Sequence, residues 1–184
     1  MTEQQPYDVV RQEDGWELRR YPAHVVAETT VSDATFEKAG NRAFRALAGY
    51  ISGENTARQK IAMTAPVVQQ QSQRIAMTAP VVQAAAPGGF VVAFVLPAAL
   101  TEDDAPVPTD PEVRIRTVPE RLVAATRFSG RWTEQSWQEH RDELFAHLRA
   151  AGVSPAGEPR FARFNPPFTL PFLRRNEVLV DVDV

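Results

Sequence analysis

The stretch LRRYPAHVVAET at 18–29 returns at 115–126 as IRTVPERLVAAT. From 18 to 115 the offset is 97 residues, and it sets Arg19 on Arg116, Pro22 on Pro119, Val26-Ala27 on Val123-Ala124 and Thr29 on Thr126. At the same offset Leu47 meets Leu144 and Ile51 meets Leu148. Each copy reads as strand, proline bend, strand, helix. Self-similarity at a fixed period marks supersecondary units that cannot bury their apolar faces alone. Two such units in one chain predict a pseudo-twofold pair sharing a single sheet or barrel.

The local patterns fill in the elements. Polar and apolar residues alternate over Trp16–Arg20, Tyr21-Pro22 bends the chain, and Val25–Ala27 is extended again. Over 32–51, Phe36, Gly40, Ala43, Leu47 and Ile51 recur at spacings of three and four, with Phe44 at the edge of the stripe. This predicts an amphipathic helix capped by Ser32 or Asp33 and ended near Gly49 or Gly53. A second helix is predicted over 133–151, with Thr133 as its cap, Trp137, Leu144 and Leu148 as its stripe, and Gly152 just past its end. Strands are expected at the opening stretch, at Val91–Leu96, at Pro159–Phe164 and at Glu177–Val184, the last alternating cleanly from Val178 onward. The acidic, proline-rich TEDDAPVPTDP at 101–111 reads as the connection between halves at about 7–100 and 112–184 of one domain spanning 1–184.

Composition narrows the chemistry. With no cysteine, disulfides, thiolate catalysis and Cys-ligated metal centres are excluded. A net charge of −3 gives no sign of a nucleic-acid surface. No signal peptide is visible, and the apolar run at 90–100 is cut by Pro97 and too short to span a bilayer, so the expectation is a cytoplasmic protein without membrane or nucleic-acid partners.

A second repeat, RQKIAMTAPVVQ followed by QRIAMTAPVVQ, spans 58–83. It reads either as two strands around a polar turn, paired as a hairpin, or as a pocket wall built on Met63 and Met77. Thioethers fill irregular apolar space and ligate haem iron.

Taken in order, Trp16–Tyr21, Gly53–Asn55, Lys60–Pro66, Phe164–Phe168 and Pro171–Glu177 resemble the SOUL haem-binding protein family from about residue 7 to the end. The resemblance implies an α+β fold. Two pseudo-symmetric halves would form a distorted antiparallel β-barrel-like sheet flanked by two long helices, related to bacterial effector-binding domains. It also implies non-covalent binding of haem or a related tetrapyrrole, as a buffer or carrier. The ligand would lie between Asn41, Phe44, Leu47, Ala48 and Tyr50 on the first helix and Phe172, Leu173, Arg174 and Arg175 before the last strand. A porphyrin needs an apolar floor and cations for its propionates, and Arg42 or Arg45 on the helix would add to the loop arginines. An axial histidine and a helix lysine used elsewhere in the family are replaced here by Arg20 and Gly49, so weak or absent iron ligation is expected. His24, His140 and His147 are expected at surface or boundary positions.

The alternative is an effector-binding domain or hydrolase acting on another small amphipathic molecule in a cleft between the halves. No nucleophile elbow, phosphate loop, dinucleotide fingerprint or HExxH motif is present. Glu177 is the one candidate general base, and an ion pair with Arg174, Arg175 or Arg19 is the competing reading of it.

Overall fold

The computed structural model describes residues 3–32, 35–56, 78–79, 81–86, 89–165 and 168–183. In chain order these form β1 (Glu3–Gln4), β2 (Asp8–Glu13), β3 (Trp16–Tyr21), β4 (His24–Ser32), α1 (Phe36–Ser52), β5 (Asn55–Thr56), β6 (Thr78–Ala79), β7 (Val81–Ala86) and β8 (Gly89–Val95). Then follow β9 (Val107–Pro108), β10 (Arg114–Val118), β11 (Arg121–Phe128), α2 (Glu134–Ala150), β12 (Ser154–Pro155), β13 (Arg160–Arg163), a 3-10 turn at Pro171–Leu173 and β14 (Asn176–Asp183). Met63 and Met77, with nearly all of the 58–83 repeat, lie outside the described residues.

The main sheet is antiparallel and strongly curled, with strand order β10-β4-β8-β7-β13-β14-β11-β3-β2 and β12 attached to β14. The 97-residue offset recurs in the elements. β4 starts at His24 and β11 at Arg121, again 97 residues apart. Their pairing is exchanged. β3 hydrogen-bonds to β11, and β10 to β4, so the first strand of each unit completes the sheet of the other. The bends at Tyr21-Pro22 and Val118-Pro119 make this crossing possible, because proline cannot continue a ladder. Two further short pairs, β1 with β6 and β5 with β9, sit outside the main sheet.

Both helices lie on one face of the sheet. Ala39, Ala43, Leu47, Tyr50 and Ile51 of α1 pack on Val25, Ala27 and Val31 of β4 and Val92 and Phe94 of β8. Trp137, Leu144 and Leu148 of α2 pack on Val178, Val180 and Val182 of β14, with Trp16, Leu18 and Ala124. Alternate residues of the same strands face away from the helices. Val26, Ala93, Val95 and Val118 form one cluster there, and Tyr21, Val123, Ala125, Ala162 and Leu179 another. Phe36, at the first turn of α1, crosses to the α2 side and stacks on Trp137 with ring centres 5.5 Å apart.

One detail departs from the sequence reading. Ser32 ends β4 rather than capping α1, whose cap residue is Thr35, and Thr35 makes no side-chain capping bond. The 101–111 segment is packed against the rest of the chain. Ala105 and Pro106 are buried, the Pro106 carbonyl accepts from the Tyr50 hydroxyl at 2.9 Å, and Glu102 accepts from the backbone and hydroxyl of Thr117. Its acidic and proline residues suit turns, but its apolar ones serve the core under α1.

Candidate functional site

On α1 and on the segment before β14, the chain exposes apolar surface that the core does not use. Phe168, Leu170, Phe172 and Leu173 are 86%, 55%, 70% and 63% exposed, and Phe44 on α1 is 38% exposed. These are five of the eight large exposed apolar side chains among the described residues, the others being Val9, Val10 and Val107. Exposed apolar side chains grouped in one short segment, as at Phe168, Leu170, Phe172 and Leu173, mark an interaction surface where scattered single residues would not.

The two segments are joined by a cation–aromatic stack. The Arg163 guanidinium lies against Gly40 of α1, so closely that a Cβ built on Gly40 would come within 2.7 Å of it. The same guanidinium sits 4.9 Å from the Trp132 ring centre, and Arg174 lies 4.2 Å from that ring. Trp132 Nε1 donates to Asn176 Oδ1 at 2.7 Å, and the Gly130 amide donates to the Pro171 carbonyl at 2.9 Å. Gly40 is therefore a close-approach glycine. Phe44 stands one turn further along α1, leaning on Phe94.

The sequence-predicted residues fall into two groups. Asn41, Phe44 and Arg45 are exposed on α1 and Ala48 is half-buried beside them, with Phe172 and Leu173 exposed on the loop. Leu47 and Tyr50 point into the core, and burial pushes the Tyr50 hydroxyl up to about 12. Arg174 also donates from Nε to the Thr169 carbonyl. Arg42 and Arg45 are exposed and make no ion pair among the described residues. No spacing rule pointed to Trp132, Arg163, Phe168 or Leu170 as contributors. A glycine inside the apolar stripe of α1 was the available signal for a close neighbour.

Glu177 lies on the other face of the sheet. It is 0% exposed, and both of its oxygens are engaged. Arg19 donates to it at 2.6 and 3.2 Å, and Arg175 donates at 2.7 and 2.9 Å. Of the three arginines the sequence offered, these two make the pair. Arg19 also donates to the Tyr21 hydroxyl and lies over the Tyr7 ring. Burial opposes the charge on Arg19, but the hydrogen bond and charge of Glu177 outweigh it and raise its pKa. Tyr21 is pushed up to about 12, mainly by burial and against the pull of Arg19.

The histidines are dispersed. His140 stacks on Phe128 and pairs with Glu143, His147 lies against Gly15, and His24 faces away from the helices. Arg20, at the position of the missing axial histidine, is exposed and 3.9 Å from Glu120. Among the described residues no three His, Asp or Glu side chains converge as a metal site, and no helix is long and apolar enough to cross a membrane.

A curled antiparallel half-barrel backed by two helices defines an α+β fold shared with other proteins. The C-terminal domain of EcmrR superposes with a TM-score of 0.63 at 7% identity, over 96% of this chain and 98% of that one. A hydrolase from Listeria innocua superposes with a TM-score of 0.59 at 12% identity, over 95% of this chain and 94% of its own. At such identities the likeness is one of fold. The sequence carries the identification further. The family model described as SOUL heme-binding protein matches residues 2–181, and the chain belongs to that family. Heme-binding protein 2 of Mus musculus is 29% identical over 175 residues, which cover 94% of this chain and 80% of the mouse protein.

Proposed function

We propose that this protein binds haem or a related tetrapyrrole non-covalently, as a buffer or carrier, on the surface formed by α1 and residues 168–174. The observation that carries this reading is the exposure of Phe168, Leu170, Phe172 and Leu173 before β14 and of Phe44 on α1, two segments linked through Arg163 and Trp132. The family to which the chain belongs, and the name of its mouse relative, support the ligand class. An apolar floor rimmed by guanidinium groups suits a flat macrocycle with two carboxylates. Arg42 and Arg45 are the cations available for the propionates, since Arg175 is held by Glu177. The residues fit the macrocycle better than its iron, because no histidine lies on α1 or on 168–174. The binding is therefore apolar and electrostatic, with weak or no protein ligation of the metal.

No catalytic step is assigned. A hydrolytic reading rests on Glu177, and a carboxylate with no exposed surface and two guanidinium partners has no free oxygen to offer a substrate.

Haemin titration followed from 350 to 700 nm, with serum albumin as the control for nonspecific uptake, tests the proposal. A saturable one-to-one Soret change is expected. Phe172→Asp combined with Phe44→Asp should weaken it about tenfold or more, since burying one aromatic side chain is worth roughly 1.5–3 kcal/mol. Unchanged affinity in that double variant would remove the surface from consideration.

A further inference from the structure

The sheet face turned away from both helices closes around a cavity. Side chains from β3, β4, β7, β8, β10, β11, β13 and β14 all line one space of about 120 Å³. Eight strands converging on one small volume make this the concave side. A second space of about 420 Å³ shares Gln5, His24 and Val95 with it, and lies within the roughly 300–1,000 Å³ typical of ligand sites. Lining positions come in pairs related by the 97-residue repeat: Tyr21 with Val118, His24 with Arg121, and Val26 with Val123. The cavity therefore sits where the two units meet.

Its two parts differ in chemistry. Arg116, Arg121 and Arg160 line the inner space, and among the described residues no carboxylate does. Behind them Asp181 accepts from Arg121 at 2.6 Å and from Arg160 at 2.8 Å, while Glu28 accepts from Arg116 at 2.9 Å. Arg121 and Arg160 thus share one carboxylate, while Arg116 has Glu28 and the nearby charge of Glu102. Burial holds the Arg121 guanidinium below its usual range, with Arg160 and Arg116 adding to the effect and Asp181 only partly offsetting it. The outer space is largely apolar, with Val25, Val95, Leu96 and Leu100 in its wall; among the described residues its one acid is Glu102, which is bound to Thr117 and whose charge also acts on Arg116.

We propose that this two-part cavity binds a small amphipathic carboxylate, its anionic head among Arg116, Arg121 and Arg160 and its aliphatic tail along the outer wall. An added carboxylate would give Arg121 and Arg160, which share Asp181, a second negative partner, and a low-polarity surround strengthens such a pairing. The inner space lies on the opposite face of the sheet from α1, and the site does not depend on tetrapyrrole binding.

His24 stands in both parts and serves as a built-in reporter. Protein labelled with ¹⁵N in its histidine rings is titrated with octanoate and, separately, with octylamine at pH 7.5. The His24 signal is assigned by its loss in His24→Gln. Octanoate should shift that signal saturably and leave those of His140 and His147, both on α2, in place. Octylamine should not shift it, and Arg121→Gln should weaken octanoate binding tenfold or more. A second variant, Ala93→Leu, narrows the cavity without touching a charge and should also weaken binding. The proposal is overturned if millimolar octanoate leaves the His24 signal unmoved, if octylamine moves it equally, or if folded Arg121→Gln binds octanoate as the unaltered protein does.

Discussion

Arg19 is 2% exposed and Glu177 is 0% exposed, so neither charge has water to fall back on. Removing one member of such a pair leaves the other buried without a counter-charge, which costs roughly 3–5 kcal/mol. Glu177→Gln should therefore lower unfolding free energy by about that amount in urea titration while leaving the change at α1 small. A loss below about 1 kcal/mol would mean that the network is not structural. His24 offers a pH signature. Burial lowers its pKa first of all, the Pro22 carbonyl 2.9 Å from Nδ1 pulls the other way, and Arg121, Arg160 and Arg116 add to the lowering. The folded state thus favours neutral imidazole. The unfolded chain binds a proton near pH ~6.5, before the folded one does, so stability contributed by His24 is present above that pH and is lost as pH falls through the folded value. Unfolding midpoints measured between pH 8 and 5 should decline toward acid less steeply in His24→Gln than in the unaltered protein. Parallel curves would show that His24 does not titrate differently on folding.

At the scale of elements, the two long helices are started in different ways. Thr133 accepts the Ser136 amide at 3.2 Å and caps α2, as its place before the first acidic residue suggested. Thr35 precedes α1 in an extended conformation but caps nothing with its side chain. Thr133→Ala should cost about 1 kcal/mol in urea titration, and Thr35→Ala much less. Equal losses would contradict the assignment. α1 is instead held at its start by burial of Phe36 among Trp137, Phe90 and Phe161, and by Gln83 donating to the Phe36 carbonyl at 3.1 Å. Tertiary contacts there replace local capping. This is why the amphipathic stripe placed the helix correctly while the search for a local cap put its start too early, in β4.

For the whole molecule, the exchange of β3 and β10 binds the two units into one cooperative sheet. Neither unit alone contains a partner for its own second strand on that side. Fragments 1–111 and 112–184, produced separately, should lack the native near-ultraviolet circular dichroism and recover it when mixed. Native spectra from either fragment alone would show that the units fold independently. The repeat, the helix stripes, the alternation in β14 and the membership of the SOUL family could all be read from the chain, because side-chain periodicity records which face of each element must be buried. What covers that face is set by contacts between residues far apart in sequence. Only the tertiary structure decided that the units swap strands, that Glu177 chooses Arg19 and Arg175 over Arg174, and that Trp132 lies between Arg163 and Arg174. It also drew Leu47 and Tyr50 into the core and closed the concave face around His24. Each of these depends on which long-range pairing wins, and local pattern carries no record of that choice.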